Sequence, residues 1–536
     1  MSNIYLDDEF FRVWEKIENN ENFALLRYGD GERAVMTGRS VKAQEGWVSP
    51  DFVSELGSAL LNTLNVEDEN FIYGISCPCC DRSAYYWYST RIKSKNRTFA
   101  NLFVNKNYTV FIEKFEKLKR DAVVIGNFRG KDSQIANLNV LKYYSVSDDC
   151  FEFWKRDAST LIEQIKKDFG HKNNLLYVVC AGPMSEPIIY ELYKNNPDNC
   201  YIDFGSSLDK YIHKKQTRPY ENPDNKYAGR NCVMQNPNTT DFDVSVVLTL
   251  YKRPENLALQ LEAINNQTLK PAEIILFQDV PESGEPAVIP DELYRQFDRV
   301  KTAKTNAGVW GRFDFARKSK SKYVCIFDDD TIPGACWLEN CHYNMQQHEG
   351  VYGTIGILMK QPSDYPFKNY IRIGWSAPNK KAMRVDFVGH CWFVKKEWLE
   401  YMFEDTEKFQ AYKYVAEDMC LSAKLKMGYG IPTYVAPHPL KNMELWGSLN
   451  KYAVKLGTNS AAVSMNSDNL SLMNKAMGDL LSCGYRPIVF SDEKYVSDMC
   501  KKSRVAEILT KYIPVKTLRH NIRMKLKEIL LSQGQK

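Results

Sequence analysis

Short apolar runs alternate with amphipathic stretches along most of this chain, and several of the runs end in acids. Residues 8–20 repeat apolar positions at helical spacing, and Phe23-Ala-Leu-Leu-Arg27-Tyr28 then reads as a strand. It runs into Gly29-Asp30-Gly31-Glu32. Strands are predicted again over Asp121 to Gly126, Leu175 to Cys180 and Tyr201 to Gly205. The Leu175 to Cys180 strand leads through Ala181-Gly182-Pro-Met to a helix opening at Ser185, a plausible cap, which leaves backbone amides free for a diphosphate. Strands alternating with helices imply a mostly parallel sheet with ligands beyond the strand ends.

The pattern lapses over residues 216–241, rich in Pro, Asn and charge, which predicts a linker between a first domain at 1–215 and a second at 242–445. The second opens with the strand Asp243 to Thr249, a polar turn carrying Arg253, and a helix from near Pro254 that places Leu257, Leu261 and Ile264 on one face. Further strands are predicted at Glu273 to Gln278, ending in Asp279, at Val300 to Asn306, and at Tyr323 to Phe327, ending in Asp328-Asp329-Asp330. A helix carrying Arg312 and Arg317 lies before the last of these. Apolar strands near Gly353 and Val385 follow, then a helix opening with Glu417-Asp418 and a return strand ending at His438. Residues 446–536 form a helical extension whose last helix sets Leu518, Ile522, Leu526 and Ile529 against a basic face. The fold class predicted is α/β, two Rossmann-like doubly wound domains in tandem plus a helical tail.

A chain of 536 residues exceeds one core, and 44% apolar with 26% charged residues is ordinary for a globular protein. A net charge of +5 gives no argument for nucleic acid. No apolar run reaches the roughly 18 residues of a membrane span, and the acidic N-terminus lacks a secretion-signal layout. The expected compartment is the cytoplasm, and the basic last helix is compatible with either peripheral contact with an anionic membrane or packing on the body. The 14 cysteines are scattered. Cys77-Pro-Cys79-Cys80 has no second Cys or His pair at finger spacing nearby, so reduced thiols are expected.

Adjacent carboxylates repel unless a cation or solvent separates them, and strand periodicity turns Asp328 and Asp330 to one side, where they can hold a divalent ion. Asp30 and Glu32 can share another, with Arg27 available to a phosphate. The alternatives are a solvated acidic turn at Asp328 to Asp330 and a hairpin turn at Gly29-Asp30-Gly31. Glu417 and Asp418 at a helix start are either dipole partners or catalytic acids. A lone histidine such as His438 is more often structural than a ligand.

The block Arg27-Tyr-Gly29-Asp30-Gly31-Glu32, the strand-Gly182-Pro turn and the Ile-Asp-Phe-Gly segment resemble the GT-D fold glycosyltransferases over residues 8–215. That resemblance implies that Asp30 and Glu32 bind a metal and nucleotide-sugar, with Arg27, Gly29, Gly31 and Gly182 around it. The Leu-Thr-x-x-Lys-Arg-Pro opening, the strand-end Asp279, Asn306-x-Gly308 and the Asp-x-Asp resemble family 2 glycosyltransferases of the GT-A fold. This implies donor contacts from Thr249, Arg253, Asp279, Asn306 and Asp329, a phosphate contact from Arg312 or Arg317, and Mn2+ or Mg2+ on Asp328 and Asp330 with His438 as a third ligand. It also implies Asp418, beside Glu417, as general base. Gln278-Asp279-Val280 departs from the Asp-Asp-Gly-Ser of many relatives, which puts the ribose contacts in doubt.

The expected function is a bifunctional, metal-dependent transfer of sugars from nucleotide-sugar donors, UDP-linked by the resemblance, to a saccharide or lipid-linked saccharide in surface glycan synthesis. The alternatives are a sugar nucleotidyltransferase, whose Gly-rich loop the Leu248-to-Pro254 segment lacks, and an enzyme with one active half and one glycan-binding half.

Overall fold

The computed structural model describes residues 3–42, 47–215, 218–222, 224–225, 228–282, 284–362, 369–404, 411–449, 451–452 and 467–533. The chain divides into two compact units, Met1–Asp241 and Phe242–Lys536.

In the first unit, strands β1 (Asn3–Tyr5), β2 (Phe23–Tyr28), β3 (Phe71–Ile75), β4 (Arg97–Phe99), β5 (Asp121–Asn127), β6 (Asn139–Val146), β7 (Leu176–Cys180), β8 (Cys200–Asp203) and β9 (Val233–Gln235) appear in chain order. Seven of them form one parallel sheet in the order β4-β3-β2-β8-β7-β5-β6. The amphipathic N-terminal helix, Leu6–Glu18, buries Phe10, Val13, Trp14 and Ile17 against Phe23, Leu25, Phe111 and Phe115. The parallel order brings the carboxyl ends of β2, β8 and β7 side by side, where such sheets hold ligands.

Part of the stretch expected as a linker is built into this unit: β9 pairs antiparallel with β1, and the Leu6 N–H donates to the Cys232 carbonyl (2.9 Å). Composition had suggested a linker because the stretch lacks periodicity, but backbone pairing needs none. Residues 216–217, 223 and 226–227 of that stretch lie outside the described residues. The cysteines are unbridged, and Cys232 lies among Cys77, Cys79 and Cys80.

The second unit adds β10 (Val244–Leu250), β11 (Glu273–Gln278), β12 (Arg299–Thr302), β13 (Tyr323–Phe327), β14 (Val351–Met359), β15 (Tyr370–Gly374), β16 (Met383–Val385), β17 (Phe387–Lys395) and β18 (Thr433–Val435). Their sheet runs β12-β11-β10-β13-β17-β14-β18-β16, with β15 on β14. The first four strands are parallel, as the alternation of strands and helices implies. The far half is mixed, because β17 runs antiparallel to β13 and β14, and β15 and β16 to their neighbours. From β10 the chain proceeds outward to β11 and β12, then returns to place β13 on the other side of β10. That reversal opens a crevice beyond β10 and β13.

The tail is part of this unit. Helices Ser467–Ser482, Ile488–Ser491, Glu493–Thr510 and Lys516–Leu531 follow residues 453–466, which lie outside the described residues. Buried Asp386 accepts from the Ile488 and Met359 N–H groups (2.7 and 2.8 Å), tying the extension to the sheet. The last helix buries Met524, Glu528 and Leu531 and leaves Leu518 and Ile529 exposed. No helix among the described residues is long and apolar enough to cross a membrane.

Candidate functional site

The acids of the second unit stand on the turn after β13, and side chains from the neighbouring strand and helix hold that turn by its carbonyls. Thr249 Oγ1 donates to the Phe327 carbonyl (3.0 Å), Asn256 Nδ2 to that of Asp329 (3.0 Å), and Gln260 Nε2 to those of Asp328 and Thr331 (2.8 Å each). The turn is therefore fixed without using its carboxylates. Two buried arginines meet those instead. Arg253 Nη1 lies 2.7 Å from Asp329 Oδ1 and 2.9 Å from Asp330 Oδ2. Arg312 bridges Asp328 (2.6 Å) and Glu417 (2.7 Å).

Antiparallel pairing supplies a residue that the linear order hides. Phe327 is opposite Cys391, so the next position, His390, comes beside the acids. The Asp328 N–H donates to the His390 carbonyl (3.1 Å), and His390 Nδ1 lies 3.9 Å from Asp330 Oδ1. One ligand atom each from Asp328, Asp330 and His390 lie within 4.8 Å of one another. Oxygen donors with one imidazole suit Mn2+ or Mg2+. Four carboxylates (Asp328, Asp329, Asp330 and Glu417) against the two guanidiniums leave an excess of negative charge that a divalent cation would offset. The donor set therefore fits such an ion.

His438 is not part of this group. It is fully buried, with Nε2 at 2.7 Å from Thr354 Oγ1 and Nδ1 at 2.7 Å from the Ala436 carbonyl, and burial pulls its pKa down to about 4. Both nitrogens are engaged in holding β14 against the return strand, so the third-ligand expectation passes to His390. Arg317 is likewise elsewhere, between Glu400 and Asp314. Asp279 is turned to the loop that follows β12: its carboxylate accepts from the N–H groups of Val280 and Ala307 (2.9 Å each) and Gly308 (3.1 Å). Asn306 also serves that loop, its Oδ1 accepting from the Gly308 N–H (2.9 Å). Gly308 has φ +70°, and a Cβ there would collide with the Lys413 carbonyl oxygen.

Glu417 and Asp418 open the helix Glu417–Tyr429, directly after Ala416, which adopts φ +63°. His390 has φ +67°. Left-handed backbone in non-glycine residues is costly and concentrates at functional sites. A Cβ on Gly389 would lie 3.8 Å from Asp418 Oδ2, so this carboxylate faces the β17 segment that carries His390. Burial, then the neighbouring Glu417 carboxylate, push the Asp418 pKa up to about 8. Glu417 is raised chiefly by burial, with Arg312 opposing, and Asp329 rises to about 6 for the same reason, with Arg253 opposing.

The first unit gathers acids at the ends of β2 and β8. Asp30 and Glu32 occupy the first turn of the helix Asp30–Met36, and Glu32 Oε2 accepts from the Gly29 N–H (2.8 Å). Gly31 sits beneath Trp47, which a Cβ would reach at 3.6 Å. Asp203 ends β8, and Glu186 follows the Gly182 turn, where φ is +57°. Burial raises Glu32 to about 7, with Asp203 and Asp30 adding to the shift, and Asp203 to about 6. Burial and the Asp203 and Glu32 charges also push Glu186 up, and its Oε2 has no hydrogen-bond partner. Asp203 and Glu186 were not among the expected site residues, although Asp203 stands in the Ile-Asp-Phe-Gly segment and Glu186 follows Ser185. Arg27 is not directed at a phosphate. Its Nε donates to the Ala100 carbonyl (2.6 Å) and Nη1 to that of Phe204 (2.7 Å).

No curated protein sequence matches the chain. Two solved structures, described as "The highly conserved domain of unknown function 1792 has a distinct glycosyltransferase fold" and "Selenomethionine substituted structure of domain of unknown function 1792 (DUF1792)", each align at 14% identity with a TM-score of 0.29, covering 38% of this chain and 78% of theirs. At that overlap the first unit's fold rests on its own sheet order. Residues 245–403 match the family model "Glycosyl transferase family 2", and the second unit therefore carries a family 2 glycosyltransferase domain.

Proposed function

We propose that the chain is a bifunctional, metal-dependent glycosyltransferase. The observation that carries the reading is the convergence of Asp328, Asp330 and His390 beyond β13, with Asp418 facing the same segment. Asp328, Asp330 and His390 would hold Mn2+ or Mg2+. That ion would neutralise the leaving diphosphate of a donor, UDP-linked by resemblance. Arg253 and Arg312, already at the acids, would turn toward the phosphates as the cation takes their carboxylates. Thr249, Asp279 and Asn306 act by shaping the loops around the donor, and Asp329 anchors Arg253. Asp418 accepts the proton of the attacking acceptor hydroxyl. Its raised pKa suits a base working near neutrality.

Asp30 and Glu32, with Asp203 and Glu186, are the candidate donor site of the first unit, served by the Gly29, Gly31 and Gly182 turns. The position of Arg27 favours a second reading, in which this unit binds a glycan without transferring to it. The acceptor would be a saccharide or lipid-linked saccharide of a surface glycan. Ile508, Leu509, Tyr512, Val515 and Leu518 are exposed near Lys511, Lys516 and Arg519 in the C-terminal helices, which supports contact with an anionic membrane.

A panel of nucleotide sugars, with and without Mn2+, tests these readings. Asp328→Ala with Asp330→Ala should abolish one donor activity, and Asp30→Ala with Glu32→Ala a second, separable one. A single activity, lost only with the first pair, selects the glycan-binding reading. Retention of all activity in both would refute transfer at these acids.

A further inference from the structure

The first unit contains a cluster of a different chemistry. Cys77, Cys79, Cys80 and Cys232 bring four Sγ atoms within 4.8 Å of one another, although Cys232 is 152 residues from Cys80. Cys77 Sγ lies 3.1 Å from Cys79 Sγ, and Cys80 Sγ 3.6 Å from Cys232 Sγ. We propose that these four cysteines form a structural tetrathiolate site for a single Zn2+ ion. Zinc takes four sulfurs at about 2.3 Å in a tetrahedron, which sets neighbouring sulfurs about 3.8 Å apart. The spacings found need only small side-chain movement to reach that.

The ligands are presented by backbone that is fixed independently of the sulfurs. After β3 the chain turns so that the N–H groups of Cys80 and Asp81 both donate to the Cys77 carbonyl (3.1 and 3.0 Å). Asp81 then caps the helix Arg82–Ser89 by accepting from the Ala84 N–H (2.9 Å). On the other side, Cys232 is held by its carbonyl bond from Leu6 and by the Asn231–Asp7 pair (2.8 Å). The Asn101 amide also donates to Cys232 Sγ (3.4 Å), a contact that favours the thiolate. Cys77 and Cys232 are buried, each 1% exposed, while Cys79 and Cys80 are exposed. The site is thus anchored within the unit and open to an entering ion. Cys77 and Cys80 have the C-x2-C spacing of a zinc knuckle, and the second pair comes from Cys79 and the distant Cys232.

Binding would release the four thiol protons and leave a Zn(S-Cys)4 centre of net charge −2. It would tie the loop after β3 to the β1–β9 ribbon. Through Asp81, which lies 3.5 Å from Arg33, that loop also abuts the helix carrying Asp30 and Glu32. Soft thiolates separate this site from the carboxylates of the second unit, which suit harder cations.

The test uses the full chain, purified without chelator, with zinc measured by elemental analysis and the apoprotein reconstituted with Co2+. Expected are about one zinc per chain retained after Asp328→Ala with Asp330→Ala, and a Co2+ spectrum with sulfur-to-cobalt charge transfer and tetrahedral visible bands that added Zn2+ bleaches. Cys80→Ser and Cys232→Ser should each reduce retained zinc at least tenfold. The wild-type spectrum needs no variant to fold. A Co2+ spectrum lacking sulfur charge transfer, no zinc retained by the protein as purified or after Zn2+ addition under reducing conditions, or all four thiols of the zinc-loaded protein alkylating at the rate of exposed cysteines would each overturn the proposal.

Discussion

If Asp418 is the general base, its pKa should govern the rate of the second unit. Replacing it with Asn keeps the shape and removes proton acceptance, which typically costs about 10²- to 10⁴-fold in rate, or roughly 3–5 kcal/mol. The sign of the pH effect follows from the raised pKa. With the group at about 8, a protein at pH 6 holds only about one base in a hundred ionised. kcat/KM should therefore rise about tenfold per pH unit and level off as the pKa is passed. A divalent cation beside Asp328 stabilises the carboxylate and moves that limb to lower pH, so the profile is measured at fixed saturating Mn2+. Glu417→Gln removes the neighbouring negative charge that helps raise Asp418, and the limb should move down again. Measuring initial rates of donor turnover across pH for wild type, Asp418→Asn and Glu417→Gln checks all three. If Asp418→Asn stays within threefold of wild type, or Glu417→Gln moves the limb upward, Asp418 is not the base.

Other consequences concern the frame as much as the chemistry. Asp279→Ala leaves the N–H groups of Val280, Ala307 and Gly308 without their carboxylate, and chemical denaturation should show a loss of about 2–4 kcal/mol. His438 is held neutral by burial at a pKa of about 4 against an unfolded value near 6.5, so the unfolded chain takes up its proton first. Its contribution is constant above pH 6.5, and about 3 kcal/mol should be lost as the pH falls from 6.5 to 4; a Leu variant should lack that pH dependence in urea titrations. Ala416→Gly relieves a left-handed backbone and should raise the thermal midpoint by the equivalent of about 1 kcal/mol while leaving Mn2+ affinity unchanged.

Much of the frame was legible because parallel α/β units announce themselves locally. The apolar runs of β2, β7, β11 and β13 end in the acids or glycines that the sheet order then collects. What the chain hid was pairing. His390 sits in an unremarkable strand, and nothing in its neighbours says that β17 runs antiparallel to β13 with Cys391 opposite Phe327. His438, at a strand end after a glycine-rich turn, had the better local signature and turned out to be a buried strut. Cys232 is the same case at longer range. The three cysteines near residue 79 lack a second pair by spacing, and only the β1–β9 pairing supplies one.

Arginine placement follows a related rule. Arg27, Arg253, Arg312 and Arg317 look alike in sequence, each near a strand end or on a helix beside acids. Burial separates them. Arg253 and Arg312, 6% exposed each, lie where water cannot screen their charge, so each must be neutralised by a carboxylate at contact distance. Arg317 pairs at the surface, and Arg27 satisfies backbone carbonyls that the parallel sheet leaves open at its edge. A buried guanidinium shared between a metal-ligand carboxylate and a second acid is therefore poised to change partners. Were a cation to claim Asp328 and Asp330, Arg312 would keep Glu417 and Arg253 would keep Asp329, and each would have donor capacity left for a phosphate. Such an exchange would let an acid-rich site present positive groups to an anionic donor.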